Sequence, residues 1–259
     1  MATKVKVKAG SVVVAKANLS LPAEQRAVTA AELAGYRERL GTPSGNRILV
    51  TQSKTFKFPN GDDAEEFEGV IVDFCAMNIY YATKFDRNNI VPPTCIALGL
   101  DPSTLKPDAK SPEVQSKDCA TCWANQWESS AEGGRGKACS NARMLAILPP
   151  DTDAATPILT LRISPTAIKA FDAHVGMVAR TLDIPIRGVV TKFGFSGESE
   201  YATIRFTVAR PVDGSLWNQV HARKVEAQAL ILTVPDLTAS NKEARKDAAK
   251  PASKRPAKK

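Results

Sequence analysis

The sequence predicts an α+β protein that is mainly β, with a cysteine-rich insertion in its middle. Two segments, 47–58 and 69–81, combine β-branched and aromatic residues as strands do. Residues 89–136 lose this patterning and are dominated by proline, glycine and polar residues. A loop of this length is uncommon inside a compact domain unless something holds it, and four of the five cysteines lie in it or just after it.

The elements around the insertion follow from local patterns, taken in chain order. The turn sequence Asn60-Gly-Asp-Asp63 separates the first two strands, and the length of the second one favours a bent strand in a curled sheet. Segments 142–148 and 157–163 are strand-like. Ser164 and Pro165 start a helix as N-cap and first-turn proline. Its predicted apolar face consists of Ile168, Phe171, Val175, Val178 and Leu182. Segments 186–195 and 201–209 predict a hairpin, and 216–232 a second helix.

The net charge of +8 is concentrated at one end of the chain. Residues 241–259 contain eight basic and two acidic residues, a net charge of +6. This tail offers almost nothing to bury and is expected to be disordered. We therefore expect an N-terminal arm at 1–41, a folded domain at 42–236 with the insertion at 89–141, and a basic tail at 237–259. Without an apolar run near the ~20 residues of a membrane span or a signal-peptide core, we expect a cytoplasmic protein with no membrane partner.

Four of the cysteines predict one structural zinc site. Cys119-Ala-Thr-Cys122 is a CxxC pair, whose tight turn lets both thiolates reach one tetrahedral ion at ~2.3 Å. Cys95 lies 24 residues before this pair and Cys139 lies 17 residues after it. In a reducing compartment cysteines are more often metal ligands or core residues than disulfides. The alternative is four reduced cysteines in a loop.

No catalytic pattern stands out, so the protein is not expected to be an enzyme. His174 and His221 lie on predicted helices and Cys75 lies in a strand, so all three are expected to be structural. Zinc deaminases need H-x-E upstream and proline directly before CxxC, but Asp118 stands there. Four thiolates would also leave no position for a catalytic water. The glycine-rich segment 133–137 fails the phosphate-loop pattern at Ala138. Only a site built from scattered acidic residues would escape this reasoning.

Aromatic and basic residues are interleaved in several segments, which is typical of single-stranded nucleic-acid binding. In such proteins bases stack on aromatic rings while Lys and Arg follow the phosphates. The candidate contacts are Lys54, Phe56, Lys57, Phe58, Tyr80, Tyr81, Lys84, Arg87, Lys192, Phe193, Tyr201 and Arg205. The core is the competing location for each single aromatic ring. Trp123 and Trp127 are expected to cover the zinc site.

Four segments around the cysteines resemble a known type of insertion: Pro92-Pro-Thr-Cys95, Asp118-Cys-Ala-Thr-Cys122, Asn125-Gln-Trp127 and Gly134-Arg-Gly-Lys-Ala-Cys139. They are similar in kind to the zinc-containing single-stranded DNA-binding proteins of T-even-like bacteriophages, where a zinc subdomain interrupts an OB-fold. The resemblance, over residues 92–139, implies an OB-fold-like five-stranded barrel that grips single strands without sequence preference. Those proteins use a mixed Cys and His zinc site and an acidic C-terminal tail. This chain instead offers only cysteines and a basic tail.

We therefore expect a single-stranded nucleic-acid-binding protein of phage DNA replication or recombination, located in the host cytoplasm. DNA is the favoured ligand, zinc the structural cofactor, and replication or recombination proteins are expected as further partners. One alternative is a zinc-stabilised interaction or virion-associated protein whose tail alone contacts nucleic acid. Another is a regulator that reads duplex DNA, which the lack of a strongly basic helix disfavours.

Overall fold

A computed structural model describes residues 46–83, 91–131, 133–197 and 201–234 of the chain. Within these ranges the protein is mainly β with a few helices, which confirms the predicted α+β class. The predicted N-terminal arm at 1–41, the predicted basic tail at 237–259, and the candidate contacts Lys84 and Arg87 lie outside the described residues. None of the described helices is long and apolar enough to cross a membrane.

Nine strands in the described ranges belong to one sheet. They are β1 Arg47–Val50, β2 Phe56–Lys57, β3 Asp63–Ala64, β4 Phe67–Tyr80, β5 Cys95–Gly99, β6 Cys139–Leu148, β7 Leu159–Ile163, β8 Val189–Phe195 and β9 Ile204–Pro211. Their order is β3-β2-β1-β7-β6-β4-β8-β9, and β5 pairs with β4. β1 and β7 are parallel, whereas β8 is antiparallel to both β4 and β9. The long predicted strand is thus β4, and the predicted hairpin is β8 and β9.

The predicted strand at 47–58 is divided into β1 and β2 by a turn. Thr51 and Thr55 close this turn, because the Thr51 N–H donates to the Thr55 carbonyl at 2.9 Å and their hydroxyls lie 2.7 Å apart. Lys54 sits in the turn with a positive φ of 58°. The β-branched residues that suggested a continuous strand therefore serve as the hydrogen-bonding groups of a turn.

The described ranges contain three α-helices. They are α1 Pro165–Met177, α2 Gly214–Ala222 and α3 Lys224–Leu232. One π-helical turn, Val178–Leu182, continues α1, and short 3-10 helices span Trp123–Asn125 and Ile186–Gly188. The predicted second helix is divided at Arg223, and its first part is capped by Asp213, whose carboxylate accepts from the Leu216 N–H at 2.9 Å.

The described residues divide into two compact units, and the first lies within 1–73, 145–162 and 166–227. Its core is rich in phenylalanine. Phe67 stacks on Phe193 with ring centroids 4.5 Å apart, and Phe56 stacks on Phe195 at 4.4 Å. An edge-to-face contact of 4.8 Å between Phe56 and Phe67 joins the two pairs. Aromatic pairs of this kind stabilise a core by ~0.5–1.5 kcal/mol each beyond the burial of their area.

The second unit lies within 74–144, 163–165 and 228–259. Its apolar cluster consists of Met77, Ile79, Ile96, Ala142 and Val234. These residues come from the end of β4, from β5, from the start of β6 and from the segment after α3. The second unit therefore has its own small core, and all four predicted zinc ligands belong to it.

Residues 108–113 cover the outer edge of β5. The Asp108 N–H donates to the Ile96 carbonyl at 2.8 Å, and the Glu113 N–H donates to the Thr94 carbonyl at 3.0 Å. Between them, the Ser111 hydroxyl accepts from the Ile96 N–H and lies 3.1 Å from the Ile96 carbonyl. An open strand edge exposes unpaired backbone groups, so this segment satisfies them. The insertion is thus held partly by its own backbone hydrogen bonds.

Candidate metal centre and its surroundings

Four cysteines from separate parts of the chain line one small cavity. Cys95 begins β5, Cys139 begins β6, and Cys119 and Cys122 lie in the loop between these strands. All four are buried free thiols, and together they line a cavity of about 10 Å³. That is roughly the space that one water-sized particle needs. The predicted ligands therefore share one cavity, although they come from positions as far apart as 95 and 139.

Among the residues described, no group of three or more His, Cys, Asp or Glu side chains is arranged to hold a metal ion. The common cavity is thus the structural observation that bears on zinc, and the zinc site itself stays a prediction.

Several hydrogen bonds shape the CxxC turn. The Asp118 carboxylate accepts from both the N–H and the hydroxyl of Thr121 at 2.8 Å, and these bonds hold the pKa of Asp118 below its ordinary value. The Cys119 N–H donates to the Leu105 carbonyl at 2.9 Å, and the Asn125 N–H donates to the Cys122 carbonyl at 3.1 Å. The two thiols of the pair are therefore positioned by the protein itself.

Burial keeps two of the thiols neutral. It raises the pKa of Cys119 to about 11, an effect that a hydrogen bond with Asn78 opposes and that repulsion from Cys95, Cys122 and Asp118 increases. Burial likewise raises the pKa of Cys139 to about 12, with repulsion from the other three cysteines adding to it. Because metal ions bind thiolates, a cation entering this cavity must displace protons.

Three asparagines support the cavity through side-chain hydrogen bonds, a role that the sequence pattern does not predict. Asn125 donates from Nδ2 to the Cys119 carbonyl at 2.7 Å. Asn141 donates from Nδ2 to the side-chain oxygens of Asn125 and Asn78, at 3.0 and 2.7 Å. The signal available in the sequence was Asn78, a polar interruption of an otherwise apolar strand. A buried side chain of this type must be hydrogen-bonded, and here its partner joins β4 to β6.

Large aromatic rings are exposed in the same unit. Trp123 is 51% exposed and Trp127 is 72% exposed, and neither is among the residues that line the cavity. Trp123 packs its ring edge-to-face with Tyr80, with centroids 5.5 Å apart. The Lys137 ammonium lies over the Trp127 ring, 5.1 Å from its centroid. Tyr81, another candidate contact, is also exposed.

Three of the candidate nucleic-acid contacts belong to the core of the first unit. Phe56 and Phe193 are completely buried, and Phe58 is nearly so. Phe56 in β2 and Phe58 just after it both contact Phe67 on the inside of the fold. As placed, these rings have no face on which a base can stack. The spacing predicts that the two rings point in the same direction. That direction is toward the core, whereas the expectation was toward a nucleic-acid ligand.

The remaining candidates differ in how open they are to a phosphate. Lys192 forms an ion pair with Glu66 at 2.8 Å, so its charge is already compensated. Lys54 is half-buried in its turn, whereas Lys57, Tyr201 and Arg205 are exposed. Among the described candidates of the first unit, Lys57, Tyr201 and Arg205 are thus the exposed ones.

The residues predicted to be structural have structural partners. The Cys75 thiol is buried and donates to the Ile231 carbonyl at 3.4 Å. His174 is buried, its Nε2 lies 3.1 Å from the Thr191 hydroxyl, and burial lowers its pKa. His221 stacks on Trp217 with ring centroids 5.8 Å apart. These contacts explain all three side chains without a ligand.

Comparison with known proteins identifies no relative from which the role of the site could be inferred. No protein-family model matches the sequence, and no curated protein or solved structure matches it. The resemblance to the phage single-stranded DNA-binding proteins accordingly stays a prediction from the segments between residues 92 and 139.

Proposed function

We propose that this protein is a non-enzymatic single-stranded nucleic-acid-binding protein stabilised by one structural zinc ion. DNA is the favoured ligand, and phage DNA replication or recombination is the proposed setting. The observation that carries the proposal is the meeting of Cys95, Cys119, Cys122 and Cys139 at one cavity in a unit that also exposes Trp123 and Trp127. The finer expectation of an OB-fold-like barrel with a zinc subdomain is part of the same proposal.

The chemistry of the four ligands favours zinc in a structural role. Thiolates are soft ligands that suit Zn²⁺, and four of them complete a tetrahedral shell. A complete shell leaves no position for a reactive water, so such an ion would stabilise the loop without performing a reaction. The cavity has room for a single ion, which agrees with one zinc per chain.

The nucleic-acid part of the proposal is supported by exposed aromatic rings and a concentrated positive charge. Tyr81, Trp123 and Trp127 are open to solvent in the second unit, and residues 241–259 add a net charge of +6. Stacking on aromatic side chains combined with cationic contacts to the backbone is the usual mode of binding single strands without sequence preference. Duplex DNA hides the faces of its bases and would use the cationic contacts alone.

A second candidate is a zinc-stabilised interaction or virion-associated protein whose basic tail alone contacts nucleic acid. The burial of Phe56, Phe58 and Phe193 favours it, since these rings were expected to stack on bases. The ion pair of Lys192 with Glu66 also favours this second candidate, because it compensates the charge of a lysine that was expected to contact phosphates.

Titrating labelled single-stranded and double-stranded oligonucleotides separates the two candidates. The full chain and a chain truncated after Asp236 would be compared by fluorescence anisotropy at two salt concentrations, with zinc measured in both preparations. We expect the truncated protein to bind more weakly and with a smaller salt dependence, yet to keep its preference for single strands. If truncation abolishes all binding, the second candidate is correct. If the full chain shows no preference for single strands, the proposed function is wrong.

A further inference from the structure

We propose that Trp127, with Lys137 over one face of its ring, is a nucleobase-stacking site. The inference rests on the proposed function and assigns the contact to the cysteine-rich loop of the second unit. Its ligand is one nucleotide of a single strand, whose base stacks on the indole and whose phosphate is drawn to the lysine.

The Trp127 ring is exposed to solvent and lies under a lysine ammonium group. Its side chain is 72% exposed, and the Lys137 ammonium lies over the ring at 5.1 Å from the centroid. The same ammonium is 3.3 Å from the Asn125 side-chain oxygen, which anchors the cation on its side of the ring. The indole thus carries a positive charge over one face while most of its surface is open to solvent.

The backbone that carries Trp127 is fixed to the cysteine-lined cavity. The Gln126 side-chain amide donates to the carbonyls of Cys122 and Ala120, at 3.1 and 2.9 Å. The Ser129 hydroxyl donates to the Gln126 carbonyl at 2.7 Å and accepts from the Ala138 N–H at 2.9 Å. Trp127 lies between these anchored residues. A ring that is positioned before binding loses little conformational entropy when a ligand stacks on it.

The positive charges in this part of the sequence favour a polyanionic ligand. Val234 is buried in that unit's apolar cluster, and its carbonyl accepts from the Lys110 ammonium at 2.9 Å. Val234 is therefore held in place, and in the sequence it is followed by residues 235–259, which include the +6 segment 241–259. A base supplies the planar surface that an exposed indole can stack on, and its phosphate supplies the negative charge that Lys137 attracts. A basic or apolar protein partner would meet only one of these features.

Alanine and conservative variants of the zinc-loaded full chain test the site. The measurement is the Kd for a fluorescein-labelled thymidine oligonucleotide by anisotropy at several salt concentrations. Trp127→Ala should raise Kd about 5- to 150-fold, which is the usual loss for one stacked base. Trp127→Phe should restore most of the affinity, and Lys137→Gln should lower the salt slope by about 0.7, the value for one single-strand phosphate contact. The matched control is Val114→Ala, which removes exposed apolar surface from the same unit without removing a ring, and should leave Kd unchanged.

A spectroscopic arm keeps the test valid if a variant loses zinc. In a Trp123→Phe/Trp217→Phe chain, Trp127 is the sole tryptophan, and its fluorescence should be quenched on adding the oligonucleotide. Binding without quenching, or an unchanged Kd for zinc-loaded Trp127→Ala, overturns the inference and leaves the proposed function standing. Absence of single-strand binding by the unmodified chain instead removes the proposed function itself.

Discussion

Replacing Phe56 by alanine should destabilise the fold instead of removing a nucleic-acid contact. The ring is completely buried, stacks on Phe195 at 4.4 Å and meets Phe67 edge-on at 4.8 Å. Removing a buried phenylalanine side chain typically lowers the free energy of unfolding by about 3–5 kcal/mol. That is a large part of the ~5–15 kcal/mol by which a domain is stable, so the variant should unfold at a much lower urea concentration.

Two further variants make the Phe56 experiment decisive. Phe56→Leu keeps apolar volume but loses both ring pairings, each worth ~0.5–1.5 kcal/mol, and should be about 1–3 kcal/mol less stable. Tyr201→Ala removes a ring that is 76% exposed in the same unit and should change the urea midpoint very little. Equilibrium unfolding followed by circular dichroism gives the midpoints, and oligonucleotide titration of each folded variant gives Kd. A Phe56→Leu protein of full stability but weakened single-strand binding would show that Phe56 is a contact and that the core assignment is wrong.

Three other predictions address the metal, pH and packing. Protein purified without chelator should contain one zinc per chain by elemental analysis. The Cys139→Ser variant should lose this zinc, and the Cys75→Ala variant should keep it. Equal zinc content in both variants would contradict the four-cysteine site. Because burial lowers the pKa of His174, the unfolded chain binds a proton that the folded chain resists, so stability should fall as pH drops below the ordinary value of about 6.5. His174→Gln should reduce that fall in urea midpoints measured at pH 7.5 and 5.5, and an identical fall would assign it to other groups. A Cβ at Gly69 would lie 2.6 Å from the Ile147 Cγ2, so Gly69→Ala should lower the unfolding free energy by about 1–3 kcal/mol, whereas an unchanged midpoint would show that β6 can shift.

The strands were predictable where the pattern is local. β4 and the β8–β9 hairpin were found because β-branched and aromatic residues mark a strand and because a Ser-Gly pair marks the turn. β5 was missed, since Cys95–Gly99 is a short run surrounded by proline and glycine. Its strand conformation depends on pairing with β4 and on the covering segment 108–113, and both are tertiary effects. In α1 the proline start was correct, but the buried face contains Ala167 and His174 in place of Ile168 and Val175. A polar residue such as His174 can face the core only because Thr191 is there to bond it.

The grouping of the cysteines could be predicted from the sequence better than the aromatic contacts could. The four cysteines that the spacing predicts as ligands line one cavity, and the zinc site itself stays a prediction. The CxxC geometry is local, whereas Cys95 and Cys139 come from separate strands. The aromatic contacts could not be assigned from alternation, because a period of two shows which residues share a face but not which face is the core. Phe56 and Trp127 illustrate the difference. The first has the expected pattern and is buried, whereas the second lies in a loop without pattern and is exposed.

Burial affects the Cys119 and Cys139 thiols in opposite ways with and without a bound cation. Without one, it raises the pKa of Cys119 and Cys139 to about 11 and 12, so both are neutral near pH 7 and the cavity carries no charge from them. With Zn²⁺ present, the same low dielectric strengthens the attraction between cation and thiolate, and the protons of Cys119 and Cys139 must leave. Zinc affinity should therefore rise steeply with pH, by at least two protons per ion. The bond from the Thr121 N–H to the Asp118 carboxylate and the bond from the Asn125 side-chain amide to the Cys119 carbonyl hold the backbone of this turn. On the proposed function, a bound zinc ion would stabilise the thiolate forms of the buried cysteines.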